Sequence, residues 1–412
     1  MKHILLLGTG GTIACKHGDN GLTPLLTGEE LLSYVPAARK FCQVESVQVL
    51  NIDSTNVHPK HWLMISKAIE ENYDDYDGFV VAHGTDTMAY TAAALSYLIQ
   101  HSKKPIVITG AQKPIDLDVT DARTNLLDSL RFASSDRAHG VNIVFDGKVI
   151  AGTRGKKERS KSYSAFSSIN FPYLAVIQDE TILFYIDDKW QDRESVRFYH
   201  SLNSNVALLK LIPSMDPSVF EYLAEHNDAV IIESFGVGGL PSYDNANFYS
   251  SIEKYVEKGK IVVMTTQVTQ EGSNMSVYEV GQKAKNAFGL IESYDMTLEA
   301  TVAKLMWILG QTSEADAVEE LFYKTAIPVW MICIYYGFVF AAFPFNNYRN
   351  MIVSLYGNSK NVPQIITKLS RPENMLLADS MDLGSLINPR ELCSNTIVRY
   401  VRAMENQVGA AV

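Results

Sequence analysis

Two apolar runs, each broken off by a polar turn rich in glycine and threonine, constrain this chain more than any other feature. Ile4-Leu5-Leu6-Leu7 leads into Thr9-Gly10-Gly11-Thr12-Ile13-Ala14, and Phe79-Val80-Val81-Ala82 leads into His83-Gly84-Thr85-Asp86-Thr87-Met88. An uninterrupted apolar run reads as a strand buried on both faces, which is what a parallel sheet requires. Enzymes with such sheets gather their chemistry at the carboxyl ends of the strands. Two threonine-bearing turns at two strand ends therefore predict one site with two hydroxyls.

Further apolar runs at 47–50, 106–108 and 142–145 alternate with amphipathic stretches at 28–35, 59–73, 86–101 and 121–133. This rhythm predicts an α/β fold, a mostly parallel doubly wound sheet with helices on both faces. A polar run opening at Asp187 reads as the start of a linker. Beyond it, strands at 206–211, 229–232 and 261–264, with helices at 217–226, 246–258, 298–309 and 315–323, predict a second, smaller α/β domain. The expected boundaries are 1–187, a linker at 188–205, 206–325, an apolar segment at 326–345 and an atypical tail at 346–412.

Composition excludes several classes. Acidic residues outnumber basic ones by 46 to 36, the net charge is -10, and no basic stripe stands out, so nucleic acid is not the expected partner. The one basic cluster, Arg154-Gly155-Lys156-Lys157-Glu158-Arg159-Ser160-Lys161, reads equally as a solvated loop. The four cysteines Cys15, Cys42, Cys333 and Cys393 form no C-x-x-C pair, so neither a zinc site nor a redox motif is predicted. The first apolar run is too short for a signal-peptide core, and a reducing, cytoplasmic location is expected. A dinucleotide fingerprint starting at Gly8 would need its third glycine at Ile13, and no phosphate loop is present. No metal or cofactor is expected. The 20 residues at 326–345 carry no charge and would just span a bilayer as a helix. Pro328, Gly337 and Pro344 shorten that helix, so a buried segment and a membrane contact both stay open.

A threonine hydroxyl attacks a carbonyl only with a base beside it and donors for the developing oxyanion. Gly10-Gly11 would let the backbone approach a ligand closely, because glycine has no Cβ. Thr12 reads equally as an ordinary loop residue, and Thr85 and Asp86 equally as caps for the helix that Met88 opens. His83 reads as a satisfied strand-end histidine without chemistry.

At these turns the chain resembles the bacterial-type L-asparaginases, in particular the cytoplasmic type I branch, over residues 2–324. Asp53-Ser54-Thr55, Thr109-Gly110-Ala111-Gln112, Gly236-Val237-Gly238-Gly239-Leu240-Pro241 and Lys304-Leu305-Met306-Trp307-Ile308-Leu309-Gly310 extend the match. The resemblance implies hydrolysis of L-asparagine in a homodimer or homotetramer; L-glutamine, one methylene longer, stays open as a substrate, and the sequence does not rank the two. It implies that Thr12 is the nucleophile and that Thr85, Asp86 and Lys157 form a second catalytic group, with Lys156 a one-residue alternative to Lys157. It implies that Asp53 and Ser54 hold the α-carboxylate and amino group and that the backbone of Ala111 faces the amide. A lysine works as a base only when neutral, which burial favours and a neighbouring acid disfavours. One position departs from the family, where a lid tyrosine often stands ten residues after the nucleophile; here it is Leu22.

The tail is similar to another family. Residues 350–357, 362–369 and 400–404, with Ile387-Asn388-Pro389-Arg390-Glu391-Leu392-Cys393, resemble part of the NAD-binding regulatory subunit of Trk-type potassium uptake systems. The glycine-rich loop of that domain is missing, so no NAD binding is expected. Two other readings remain. One is the asparaginase-like component of archaeal glutamyl-tRNA amidotransferase, disfavoured by a first strand starting at His3. The other is a catalytically weak regulatory fusion protein.

Overall fold

The computed structural model describes residues 1–18, 21–185, 195–243, 246–277 and 290–324, with short backbone segments at 338–341, 364–368 and 385–387. The chain forms two units, Met1–Phe322 and Tyr323–Val412.

In the first unit, Lys2–Gly10 (β1), Cys42–Ile52 (β2), Gly78–Ala82 (β3), Pro105–Thr109 (β4), Gly140–Phe145 (β5), Lys148–Ala151 (β6), Ala175–Gln178 (β7) and Thr181–Phe184 (β8) build one sheet. Its order is β8-β7-β6-β5-β4-β3-β1-β2. The strands from β2 to β5 pair in parallel, while β6, β7 and β8 extend the edge in antiparallel hairpins. The expected parallel sheet is thus present, with an antiparallel edge that the apolar pattern did not announce. Helices Gly28–Ser33 (α1), Pro59–Glu71 (α2), Met88–Leu98 (α3) and Ala122–Ala133 (α4) connect the strands.

Strand alternation assigns the two faces. Ile4, Leu6, Val80, Ala82, Val107 and Val144 pack with Leu31 of α1 and with Leu126 and Leu130 of α4. The intervening Leu5, Leu7, Phe79, Val81, Ile106 and Ile108 are as deeply buried on the opposite face. Truncating a side chain such as Leu126 to alanine in this core would cost about 2–5 kcal/mol.

A second parallel sheet follows, from Val206–Lys210 (β9), Ala229–Ser234 (β10), Ile261–Thr266 (β11) and Ile291–Glu292 (β12), in sequence order. Ser218–His226 (α5) and Phe248–Val256 (α6) cover it, burying Phe220, Phe248, Ile252 and Tyr255 against Val230, Ile232, Val262 and Met264. Leu298–Leu309 (α7) and Ala315–Lys324 (α8) close the unit. Trp307 of α7 stacks on Tyr97 of α3, with ring centroids 6.1 Å apart, and so ties the second block to the first.

In the second unit, Phe338–Ala341, Gln364–Lys368 and Ser385–Ile387 form a parallel three-stranded sheet. The uncharged stretch at 326–345 is therefore not one continuous helix, because Phe338–Ala341 within it is a strand. Among the described residues no helix is long and apolar enough to cross a membrane. The rest of that stretch, Cys333 and Cys393 lie outside the described residues.

Candidate active site

Strand order brings the two threonine turns together. β1 and β3 are parallel neighbours with Gly8 opposite Ala82, so both turns leave the sheet at the same edge. Gly10 and Gly11 have φ of 97° and 74°, a region where a Cβ is strained. Space makes the same demand: a Cβ on Gly11 would stand 2.2 Å from the Gly84 nitrogen, and one on Gly84 would stand 2.5 Å from Ser54 Oγ. The turns after β1, β2 and β3 are packed on one another through these residues. Thr12 follows Gly11 directly, partly exposed, at the start of a short 3-10 turn, Thr12–Ala14.

The second turn does not cap its helix as its composition suggested. Thr87 occupies the cap position, but its hydroxyl donates to the Ser54 carbonyl at 2.7 Å and makes no cap bond. The Asp86 N–H donates to Ser54 Oγ at 3.2 Å. The side chains of Thr85 and Asp86 are engaged elsewhere: Lys157 Nζ donates to Thr85 Oγ1 and to Asp86 Oδ1, both at 2.7 Å. Thr85 is buried, the Lys157 side chain is 18 % exposed and that of Asp86 is 55 % exposed.

Strand geometry sends Lys156 and Lys157 to different partners. Gly155–Lys157 pairs antiparallel with Phe166–Ser168, and successive side chains of a strand point to opposite sides. Lys157 faces Thr85, and Lys156 Nζ lies 3.4 Å from Glu299 Oε1.

Two residues that the sequence left without a role complete the network. Thr85 Oγ1 donates to Gln112 Oε1 at 3.3 Å, and Gln112 Nε2 donates to the carbonyls of Arg159 and Ser162 at 3.3 and 3.1 Å. Thr85 therefore accepts a hydrogen bond from Lys157 Nζ and donates one to the Gln112 amide oxygen. The loop carrying Gln112 is held by the buried Asp121, whose carboxylate accepts from the Gln112 and Lys113 backbone N–H groups. Burial raises the Asp121 pKa, and those two N–H groups work against it. The only sequence signal for Gln112 was its place in the Thr109–Gln112 match.

Ala111 is fully buried in this loop, just beyond β4. The neighbouring Gly110 has no room for a side chain, since a Cβ there would stand 2.3 Å from the His83 carbonyl oxygen. Asp53 is exposed, and its Oδ1 accepts from the N–H and hydroxyl of Thr55 at 2.9 and 3.0 Å, shaping the turn that carries Ser54. His83 is fully buried between the Gly84 carbonyl, 2.7 Å from Nδ1, and Thr91 Oγ1, 3.0 Å from Nε2. Burial pushes its pKa down to about 4, so the ring is neutral at ordinary pH and holds the Gly84 peptide. Leu22 lies in a hairpin of Cys15–Gly18 with Gly21–Pro24, opposite His17. Among the described residues no cluster of His, Cys, Asp or Glu could hold a metal ion.

Residues 3–189 match the family model of the asparaginase N-terminal domain, and residues 205–322 match that of the glutaminase/asparaginase C-terminal domain. The chain is 37% identical to an L-asparaginase of Thermococcus kodakarensis, over 77% of its own length and 96% of that protein's. It is 34% identical to one polypeptide of the glutamyl-tRNA(Gln) amidotransferase of Pyrococcus abyssi, over 78% of its own length and 75% of that polypeptide's. In three dimensions it resembles the thermostable L-asparaginase from Thermococcus kodakarensis, with a TM-score of 0.73 at 36% identity over 78% of this chain and 96% of that one. It also resembles L-asparaginase I from Vibrio cholerae, with a TM-score of 0.71 at 30% identity over 79% of this chain and 97% of that one.

Proposed function

The chain belongs to the asparaginase family of amidohydrolases, and from that premise we propose that it hydrolyses L-asparagine to L-aspartate and ammonia through an acyl-enzyme on Thr12. The observation that carries this reading is Lys157 held between Thr85 and Asp86, on a turn packed against the one that ends in Thr12. Thr12 Oγ attacks the side-chain amide carbon, its proton goes to the leaving nitrogen, and ammonia departs. Water then attacks the ester, releasing aspartate and returning the proton to Thr12. Thr85 and Lys157 form the proton path for one of these attacks, and Gln112 fixes the orientation of Thr85. Ser54 and Asp53 receive the substrate's α-carboxylate and amino group, and the backbone at Ala111 receives its amide. Backbone N–H groups of the two turns stabilise the oxyanion, a contribution of about 3–4 kcal/mol per donor in comparable sites.

The test is partition of the intermediate. With hydroxylamine present, aspartyl hydroxamate should form at the expense of aspartate while ammonia release continues. Aspartate and ammonia produced in step, with no hydroxamate at any hydroxylamine concentration, would contradict an acyl-enzyme.

Glutamine differs from asparagine by one methylene, a difference worth about 1–3 kcal/mol in a pocket. Both amides are candidates for turnover, and a marked preference for glutamine in a side-by-side assay would favour the amidotransferase reading. The protein is read as cytoplasmic, consistent with the buried free thiols of Cys15 and Cys42, and, from its family, as a homodimer or homotetramer. The tail resembling a potassium-uptake regulatory protein is assigned no part in the reaction.

A further inference from the structure

We propose that the ion pair between Lys156 and Glu299 is a positioning device, through which the second α/β block holds Lys157 in reach of Thr85. This rests on the reading of Lys157 as part of the proton path. Lys157 stands on a ribbon of two short strands, Gly155–Lys157 and Phe166–Ser168, which joins neither main sheet. A two-stranded ribbon is marginally stable by itself and takes its position from what grips it.

Phe166 of the ribbon packs on Phe145 of β5, and a second grip comes from the segment at the start of α7. Arg154 Nη1 donates to the carbonyl oxygen and to Oδ2 of Asp295, both at 2.9 Å. Thr297 Oγ1 donates to the Thr153 carbonyl at 3.4 Å while accepting from the Ala300 N–H as the cap of α7. Asn170, just beyond the ribbon's other strand, donates to the Asp295 carbonyl at 3.1 Å. Lys156 then reaches Glu299, whose residue is 8 % exposed and whose Oε2 is buried with no hydrogen-bond partner among the described residues. Thr153, Arg154 and Lys156 are thus fastened to 295–299, and the next residue is Lys157.

Lys156 and Lys157 share a backbone and point to opposite sides, so fixing one side chain against Glu299 fixes where the other emerges. The Lys156 side chain is 27 % exposed and that of Glu299 11 %, and a partly buried ion pair of this kind adds little net stability, because desolvation and solvent screening offset the attraction. Geometry at a reacting centre is more sensitive: a displacement near 1 Å costs about 100-fold in rate. The pair therefore acts on kcat through Lys157 and leaves substrate affinity alone.

The experiment measures kcat and KM for L-asparagine in the full-length protein, together with thermal midpoints, for Lys156→Met, Glu299→Gln and the charge-swapped pair Lys156→Glu/Glu299→Lys, beside Lys157→Met. We expect Lys156→Met and Glu299→Gln each to lower kcat about 10- to 100-fold with little change in KM, and the swapped pair to recover much of that loss. Wild-type kcat in both single variants would overturn the proposal, as would a parallel loss of kcat, affinity and thermal midpoint that the swapped pair fails to restore. Should Lys157→Met itself keep wild-type kcat, the role of Lys157 falls first and the positioning role with it. That result is distinct from inactive Lys157→Met beside fully active Lys156 and Glu299 variants.

Discussion

Gly11 and Gly84 meet backbone to backbone: a Cβ on Gly11 would stand 2.2 Å from the Gly84 nitrogen. The residue after each is a threonine, so this contact registers the two hydroxyl turns. Gly11→Ala faces both that clash and a φ of 74°. A backbone outlier of this kind costs about 1–3 kcal/mol. We expect a lower denaturation midpoint and loss of turnover, measured on the same preparation. Full activity in Gly11→Ala would mean that the turns need not touch.

Lys157→Met keeps the aliphatic stem and removes both 2.7 Å contacts. Positioned proton transfer contributes about 100- to 10,000-fold, so kcat should fall within that range. Asp86 is more than half exposed, and the lost ion pair should leave the thermal midpoint nearly unchanged. Steady-state kinetics and a melting curve check the two halves.

Two buried groups give stability opposite slopes against pH. Burial lowers the Lys304 pKa from 10.5 to about 7, and its Nζ donates to the Phe322 carbonyl at 2.5 Å. Between those values the unfolded chain binds the extra proton, so stability rises with pH there. Lys304→Met should flatten the rise, seen as urea midpoints measured from neutral to alkaline pH.

Burial raises the Asp128 pKa from 3.8 to about 7, against the opposing pull of Arg131. Here the folded chain holds the extra proton, so stability falls as pH rises through that window. Asp128→Asn mimics the protonated form and should be the more stable protein at neutral pH, with equal midpoints near the acid end of the window. A wild type more stable than Asp128→Asn at neutral pH would contradict this assignment.

Lys304 also marks where the catalytic unit closes, by holding the last turn of α8 through Phe322. Truncation after Lys324 should therefore leave kcat and KM for asparagine unchanged.

The parallel core was legible because Ile4–Leu7 and Phe79–Ala82 are buried on both faces and so carry no polar alternation. The antiparallel edge was harder, since β8 alternates between exposed and half-buried residues. A signal was present: Asp146-Gly147, both with positive φ, is a two-residue hairpin turn between β5 and β6. At the site, the two turns could be read from their glycines and threonines. That Thr85 and Asp86 meet Lys157 rather than the helix cap was legible only through the family resemblance, because it depends on a strand 71 residues further along the chain. Gln112 was missed for a related reason: Thr85 lies in one loop, and Arg159 and Ser162 lie in another, distant in sequence from both Thr85 and Gln112.

The most direct test of the account is ammonia and aspartate release from L-asparagine by the full-length protein, with Thr12→Ala assayed alongside. The account predicts equal amounts of both products from the wild type and none above background from a folded Thr12→Ala. Undiminished turnover in Thr12→Ala, or a folded wild type that leaves asparagine intact, would contradict it.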